Sequence, residues 1–359
     1  QDYAGAKVIK LEQNYRSTQP ILSGASAVIS NNLDRKEKDL FTDREGGSPI
    51  RFFEAEDDRE EAQFVVKNLL AANRAEDVAY GSMGILYRTN AQSRSFEEEL
   101  LKYDVPYTIV GGQRFYDRAE IKDILSYLRL LVNPRDDQAL RRIVNKPVRG
   151  IGKASFEKVE SLAIERGLPL LEAMREAVEG QLVGRTSGKL AAFLEMMDTF
   201  ASAPEGGLEL GGTLDGLPLD DMIARVMDAT GYIRALEKED TPESETRLDN
   251  LRELLSSARD FHVDNEDELA GEERSELELY LDQVALISDL DSYEDRDDRV
   301  SLMTVHSAKG LEFPIVFLVG MEERIFPHAS SSRDEAGLEE ERRLCYVAMT
   351  RAMEHLFIT

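Results

Sequence analysis

The chain has 359 residues, 42% of them hydrophobic, and 70 Asp and Glu against 44 Lys and Arg give a formal charge of −26. That length suits two or three domains with real cores, and no apolar run approaches the roughly 20 residues of a membrane helix. A single cysteine, Cys345, excludes an intrachain disulfide, the four histidines are too scattered for a metal cluster, and the first residues lack a signal-peptide layout, so a reducing, cytoplasmic setting is expected.

The first 110 residues alternate strand and helix patterns, the signature of an α/β layer with a largely parallel sheet. KVIKL at 7–11 predicts a strand, then a helix opened by Pro20 with Ile21, Ala25, Val28 and Ile29 on one face. PIRFFEA predicts a second strand, and Asp57 with Glu60 a capping-box-like start for a helix carrying Ala62, Val65, Val66, Leu69 and Leu70. MGILYR, AQSRSFEEELLKY and PYTIVG follow as strand, helix and strand.

From about Arg114 to Arg296 the periodicity is helical throughout, as in EIKDILSYLRLLV and LDNLRELLSSARDF. A Gly- and Pro-rich loop at 204–218 interrupts it. Strands return as VSLMTV, PIVFLVG and HLFIT. The economical fold is one α/β domain in two segments, 1–112 and 298–359, interrupted by a large all-helical inserted domain at 113–297.

Charge is unevenly spread: residues 264–298 hold fifteen acidic side chains against two arginines, whereas 110–158 hold eleven Lys and Arg against six Asp and Glu. EEERRLCYVAMTRAMEHL, Glu339 to Leu356, reads for most of its length as one amphipathic helix, with Leu344, Val347 and Ala348 on a stripe whose next position is Arg351. A guanidinium facing an interior needs an anion, so one is expected beside Arg351.

Three stretches carry candidate chemistry. In EQNYRSTQP, Tyr15 and Arg16 lie between a predicted strand and a helix start, where α/β sheets bind ligands, although an ordinary exposed loop reads the same way. TVHSAKGLEF packs Thr304, His306, Ser307, Lys309 and Glu312 into one connection, more polar variety than a solvated loop needs. KPVRGIGKAS sets a Gly-x-Gly turn before a helix inside the basic segment, suited to a backbone phosphate or, equally, to a plain helical hairpin. No GxxxxGK(S/T) phosphate loop occurs, and no acidic pair suited to Mg²⁺ closes an apolar strand, so no metal ligands are assigned.

Taken in order, LEQNYRST, LYRTNAQSR, GGQRFYDRAEIKDILSYLRL, PVRGIG, LMTVHSAKGLEFPIVFLVGMEE and EEERRLCYVAMTRA resemble the C-terminal half of the UvrD-, PcrA- and Rep-like superfamily 1 ATP-dependent DNA helicases, across essentially the whole chain. The resemblance implies that the split α/β domain is the second of two RecA-like motor domains and that the helical middle is its insertion, with a helix-hairpin-helix-like Gly-Ile-Gly turn. It implies ATP with Mg²⁺ as the nucleotide, bound only together with a preceding RecA-like half that supplies the phosphate loop. A chain that starts at Gln1 and stops after HLFIT then reads as a trimmed fragment, inactive alone.

Residue by residue, Arg16 and Arg351 resemble the two arginines that reach the γ-phosphate, Tyr15 the aromatic that stacks on adenine, and Glu312 the acid that bonds the ribose. Arg88, Asn90, Thr304 and His306 fall on positions that touch single-stranded DNA, and Gly150, Ile151, Gly152 and Lys153 on a duplex-binding turn, which makes a single/double-strand junction the expected partner. Translocation 3′ to 5′, in DNA repair or replication, follows only from the resemblance. Without a phosphate present, Arg351 should face water or borrow a carboxylate. Two alternatives stay open: a non-hydrolysing DNA- or protein-binding module derived from a helicase, and part of a recombination helicase-nuclease subunit.

Overall fold

The structure, a computed structural model, describes residues 12–33, 40–201, 217–269, 274–290 and 297–359. The strand expected at 7–11, most of the Gly-rich loop at 204–218 and parts of the acidic stretch at 264–298 lie outside the described residues. In chain order come α1 (Gln19–Ile29), β1 (Arg51–Phe52), α2 (Asp58–Glu76), β2 (Met83–Tyr87), α3 (Ser93–Lys102) and β3 (Tyr107–Ile109). The middle contributes α4 (Ala119–Val132), α5 (Asp137–Ile143), α6 (Lys153–Arg166), α7 (Leu170–Glu179), α8 (Ser187–Ala201), α9 (Leu219–Ala229), α10 (Tyr232–Glu239), α11 (Pro242–Leu269) and α12 (Glu276–Leu290). After them come β4 (Val300–Thr304), β5 (Phe313–Leu318), α13 (Glu335–Met349) and β6 (Ala352–Ile358).

The chain divides into two compact units, one within 1–114 and 293–359, the other within 115–292. The first is α/β. Its six strands pair in the order β1-β6-β5-β2-β4-β3, every pairing parallel. The central strands β2 and β5 are continuous apolar runs because both faces are covered. Ile85 and Tyr87 point into a core with Val65, Val66 and Leu69 of α2 and Phe96 and Leu100 of α3. Leu86, one residue out of phase, points to the opposite core with Ile21 and Ala25 of α1 and Cys345, Ala348 and Met349 of α13. Each such side chain contributes about 1.5–3 kcal/mol of burial. β1 is shorter than the predicted strand. At the start of α2 the Glu60 amide donates to Asp57 Oδ1 at 2.7 Å, but the Glu60 carboxylate reaches one residue further back, to the Glu56 amide at 2.7 Å.

One helix departs from its expected form. α13 stops at Met349, so Arg351 is not on its stripe but in the turn before β6. The buried face is Glu341, Cys345, Ala348 and Met349, whereas Leu344 and Val347 are only half-buried. Two charges of α13 face the interior, Glu339 and, more deeply, Glu341.

The second unit is helical throughout its described residues, and α4 buries Ile121, Ile124, Leu125 and Leu128 in its core. Several polar groups inside it are paired, as burial without partners would be costly. Arg118 Nη1 donates to Asn250 Oδ1 at 2.8 Å, Asn250 Nδ2 donates to Glu120 Oε1 at 2.5 Å, and the Tyr232 hydroxyl donates to Asp123 Oδ2 at 2.8 Å. Burial, with the Asp123 charge beside it, pushes the Tyr232 hydroxyl far above its ordinary value. Among the described residues no helix is long and apolar enough to cross a membrane.

Candidate functional site

The loop before α1 is shaped by Asn14, whose side-chain oxygen accepts from the amides of Arg16 and Ser17, both at 2.8 Å. Such side-chain turns fix a backbone locally. Ser17 Oγ donates to the Ala352 carbonyl at 2.7 Å and the Thr18 amide to the Met353 carbonyl at 3.1 Å, which stitches the loop to the start of β6. The loop thus meets the described sheet at the amino end of β6.

This stitching brings three of the expected residues together. Glu312 precedes β5, Arg351 precedes β6, and the Phe313 amide donates to the Arg351 carbonyl at 3.0 Å. Arg16 Nε donates to Glu312 Oε2 at 2.5 Å. Arg351 has neutral acceptors only: the Val347 carbonyl at 2.9 Å, the Leu311 carbonyl at 3.2 Å and Thr350 Oγ1 at 3.2 Å. It is half-exposed and takes carbonyl and hydroxyl oxygens rather than a carboxylate. Burial, followed by repulsion from Arg16, lowers the Arg351 pKa from its ordinary value, with Glu312 opposing. Glu312 thus pairs with Arg16 while Arg351 stands close enough to feel both charges, and the half-exposed site keeps an excess positive charge. Tyr15 stands beside it with 77% of its surface exposed.

The second group sits elsewhere on the sheet. Arg88 and Asn90 follow β2 and Thr304 and His306 close β4, and Tyr87 pairs with Thr304. These are carboxyl ends. The register sets Met83 beside Ile315, so Glu312 lies about seven residues back along the strand direction, roughly 23 Å from Thr304. The two groups occupy opposite edges of one parallel sheet, joined by the connection 305–312.

Arg88 is held by an acidic partner. Its guanidinium grips Glu341, with Nε at 3.0 Å from Oε2 and Nη2 at 2.8 Å from Oε1, and the Glu341 side chain is 3% exposed. Burial alone would raise the Glu341 carboxyl; Arg88, the His328 amide and Ser331 outweigh it and hold the carboxyl below its ordinary value. His306 is exposed, and partial desolvation with the Arg88 charge lowers its pKa, so the ring is neutral at pH 7. Thr304 Oγ1 donates to Ser307 Oγ at 3.1 Å. A carboxylate the sequence reading missed, Glu61, accepts from the Gly320 amide at 2.8 Å and the Thr359 hydroxyl at 2.6 Å, and burial raises its pKa.

In the helical unit, Gly150 turns the chain at φ +71°, Ile151 is buried, and Gly152 caps α6, whose first residue, Lys153, has a side chain 91% exposed. Asn145 Oδ1 accepts from the amides of Arg149 and Ile151 at 2.9 and 3.1 Å, and Lys189 Nζ donates to the Gly150 carbonyl at 2.9 Å. Arg149 points inward, donating to the carbonyls of Lys146 at 2.7 Å and Thr230 at 3.2 Å between the rings of Tyr127 and Phe193. Arg141 and Arg142 pair with Glu160 and Asp123, and Lys122 with Asp117. Much of the basic segment is thus internally neutralised, and Lys153 is the cation it leaves most open at the turn. Among the described residues no group of His, Cys, Asp and Glu could hold a metal ion.

Residues 9–182 and 219–359 match the UvrD-like helicase C-terminal domain. The chain is 45% identical over 361 residues to the ATP-dependent DNA helicase PcrA of Staphylococcus epidermidis, covering 100% of this chain and 47% of that protein. It is 44% identical over 360 residues to the PcrA helicase of Staphylococcus aureus, again covering 47% of the relative. The chain spans about half the length of the curated relatives it matches.

Proposed function

The chain belongs to the UvrD-like helicase C-terminal domain family, and from that premise we propose that it is the second motor domain, with its helical insertion, of an ATP-dependent DNA helicase that moves 3′ to 5′. The observation that carries this reading is that Arg351, held by neutral oxygens, lies within electrostatic reach of the Arg16–Glu312 pair at the amino edge of the sheet. An excess of positive charge held by neutral carbonyls and one displaceable acid suits an anion carrying several charges.

In this reading ATP is held by a preceding RecA-like domain, which supplies its phosphate loop and Mg²⁺ ligands, while Arg16 and Arg351 approach the γ-phosphate from across the interface. Charge that gathers on the γ-phosphoryl oxygens is then stabilised by groups already fixed in place. Glu312 exchanges Arg16 for the ribose, and Tyr15 offers its exposed ring to the base. Because both arginines ride on this domain, their engagement depends on closure of the two domains, and closure moves DNA.

DNA contact is assigned to Asn90, Thr304 and His306 at the opposite edge, with Arg88 contributing what its pair with Glu341 leaves free. Gly150, Ile151, Gly152 and Lys153 face duplex phosphate at the junction. The test is made in the full-length protein: Arg351→Ala and Arg16→Ala should each cut ATP turnover by roughly a thousandfold with modest loss of nucleotide affinity. Unchanged turnover in either variant would remove that arginine from the site.

A further inference from the structure

The segment Phe41–Arg44 lies outside every motif that carries the family resemblance, yet it touches the nucleotide-side loop at four points. The Asn14 amide donates to the Phe41 carbonyl at 2.7 Å and the Phe41 amide to the Glu12 carbonyl at 3.1 Å. Arg44 Nη1 donates to the Arg16 carbonyl, while Arg44 Nη2 pairs with Glu354 Oε1 at 2.9 Å. The fourth point is a relay of side chains: the Tyr15 hydroxyl donates to Gln13 Oε1 at 2.6 Å, and Gln13 Nε2 donates to Asp43 Oδ2 at 2.5 Å.

The relay has a direction. Asp43 accepts from the Gln13 amide nitrogen and so fixes which end of that amide turns to Tyr15. The end presented is an acceptor, which matches the only proton the phenol can give. A tyrosine ring exposed to 77% would otherwise rotate freely about two side-chain torsions and lose that freedom whenever a base stacked on it. Tethering the hydroxyl leaves both faces of the ring open while removing most of the rotation.

We propose that Asp43 and Gln13 are positioning residues that hold the Tyr15 ring ready to stack on the adenine base. The inference rests on the reading of Tyr15 as the base-stacking residue and adds to it two residues that act only through the ring. Their removal acts on nucleotide affinity, because the ring is ordered on binding rather than during phosphoryl transfer.

The experiment is steady-state ATP hydrolysis by the full-length protein at saturating single-stranded DNA. Asp43→Ala and Gln13→Ala should each raise the KM for ATP about three- to tenfold, the cost of ordering one side chain, and move kcat less than twofold. Asp43→Asn keeps an acceptor oxygen and should restore KM. Tyr15→Phe keeps the ring but drops the hydroxyl; it should match Asp43→Ala, and the double variant should be no worse than Tyr15→Phe alone. Inhibition by tripolyphosphate, which has no base, should be unchanged in all of them. Additive effects in the double variant, or weaker tripolyphosphate binding in Asp43→Ala, would overturn the relay, because either would mark Asp43 as a general support of the loop. An unchanged KM in Tyr15→Ala would overturn the stacking role itself and the relay with it, whereas a normal Asp43→Ala beside an impaired Tyr15→Ala would overturn the relay alone.

Discussion

In an Arg88→Ala variant the Glu341 carboxylate, 3% exposed, loses three N–H···O contacts at 2.8–3.2 Å and keeps the His328 amide as a backbone donor at 3.1 Å. Removing one partner of a buried pair leaves an uncompensated charge and costs about 3–5 kcal/mol. In a unit of this size 1 kcal/mol corresponds to about 2–4 °C, so the α/β transition should fall by roughly 10 °C in a calorimetric scan. The pair, not the charge, is what the fold needs: Arg88→Met with Glu341→Leu should recover most of the loss. A pH series sharpens the test. In the parent chain the Glu341 pKa is depressed, so its contribution is present above the ordinary carboxylate range and is lost only as pH falls through the depressed value. Without Arg88, desolvation dominates and the carboxyl titrates above its ordinary value, so the folded state takes up a proton and the deficit narrows as pH falls from 8 to 5. A loss below about 1 kcal/mol, or a deficit that widens on acidification, would refute the assignment of Arg88 as the partner of a buried charge.

Lys153→Glu should weaken duplex binding and make the slope of log affinity against log salt shallower by about one, with an unchanged slope as the contrary result in a fluorescence titration. The Cys345 thiol, pushed up to about 11 by burial and then by the Glu341 charge, should resist alkylation at pH 8 until the chain is unfolded in denaturant; rapid labelling of the folded chain would contradict its placement. Gly320 holds φ +68°, and a Cβ there would meet the Gln92 amide that accepts the Arg88 and Thr89 amides. Gly320→Ala should therefore cost on the order of 1–3 kcal/mol, read from the urea midpoint.

The α/β character was legible because short apolar runs in MGILYR and VSLMTV and a period-3.6 stripe on α2 survive, where apolar burial alone decides the structure. Arg351 shows what such patterns miss. Extending the stripe past Met349 put a charge on a helix face that does not exist, since α13 gives way at Thr350 to a turn into β6. The most deeply inward charge, Glu341, looked like one more acid in EEERR, because its partner is 253 residues away and no periodicity reports a contact across the sheet. Arg149 carries the same lesson in the other unit. It counted toward a basic, phosphate-facing segment, yet its five-donor fork is taken up by carbonyls and two aromatic rings. Arg16, Glu312 and Arg351 were singled out in three separate stretches, and the structure draws them to one place through the Asn14 turn and Ser17, neither of which had been singled out.

The two strands that flank the insertion pair side by side, Tyr107 opposite Val300, although about 190 residues of chain run between them. In an ordinary parallel crossover about a dozen residues do that work. Loop-closure entropy grows only with the logarithm of length, so the fourfold doubling from about 12 to about 190 residues adds only about 2.5 kcal/mol. The size of what hangs between β3 and β4 is thus nearly neutral for the finished sheet, while the time to find that pairing is not, since distant contacts slow the search. A helical unit that folds early would shorten the effective tether and let the sheet close late, as a clasp fastened after the garment is on.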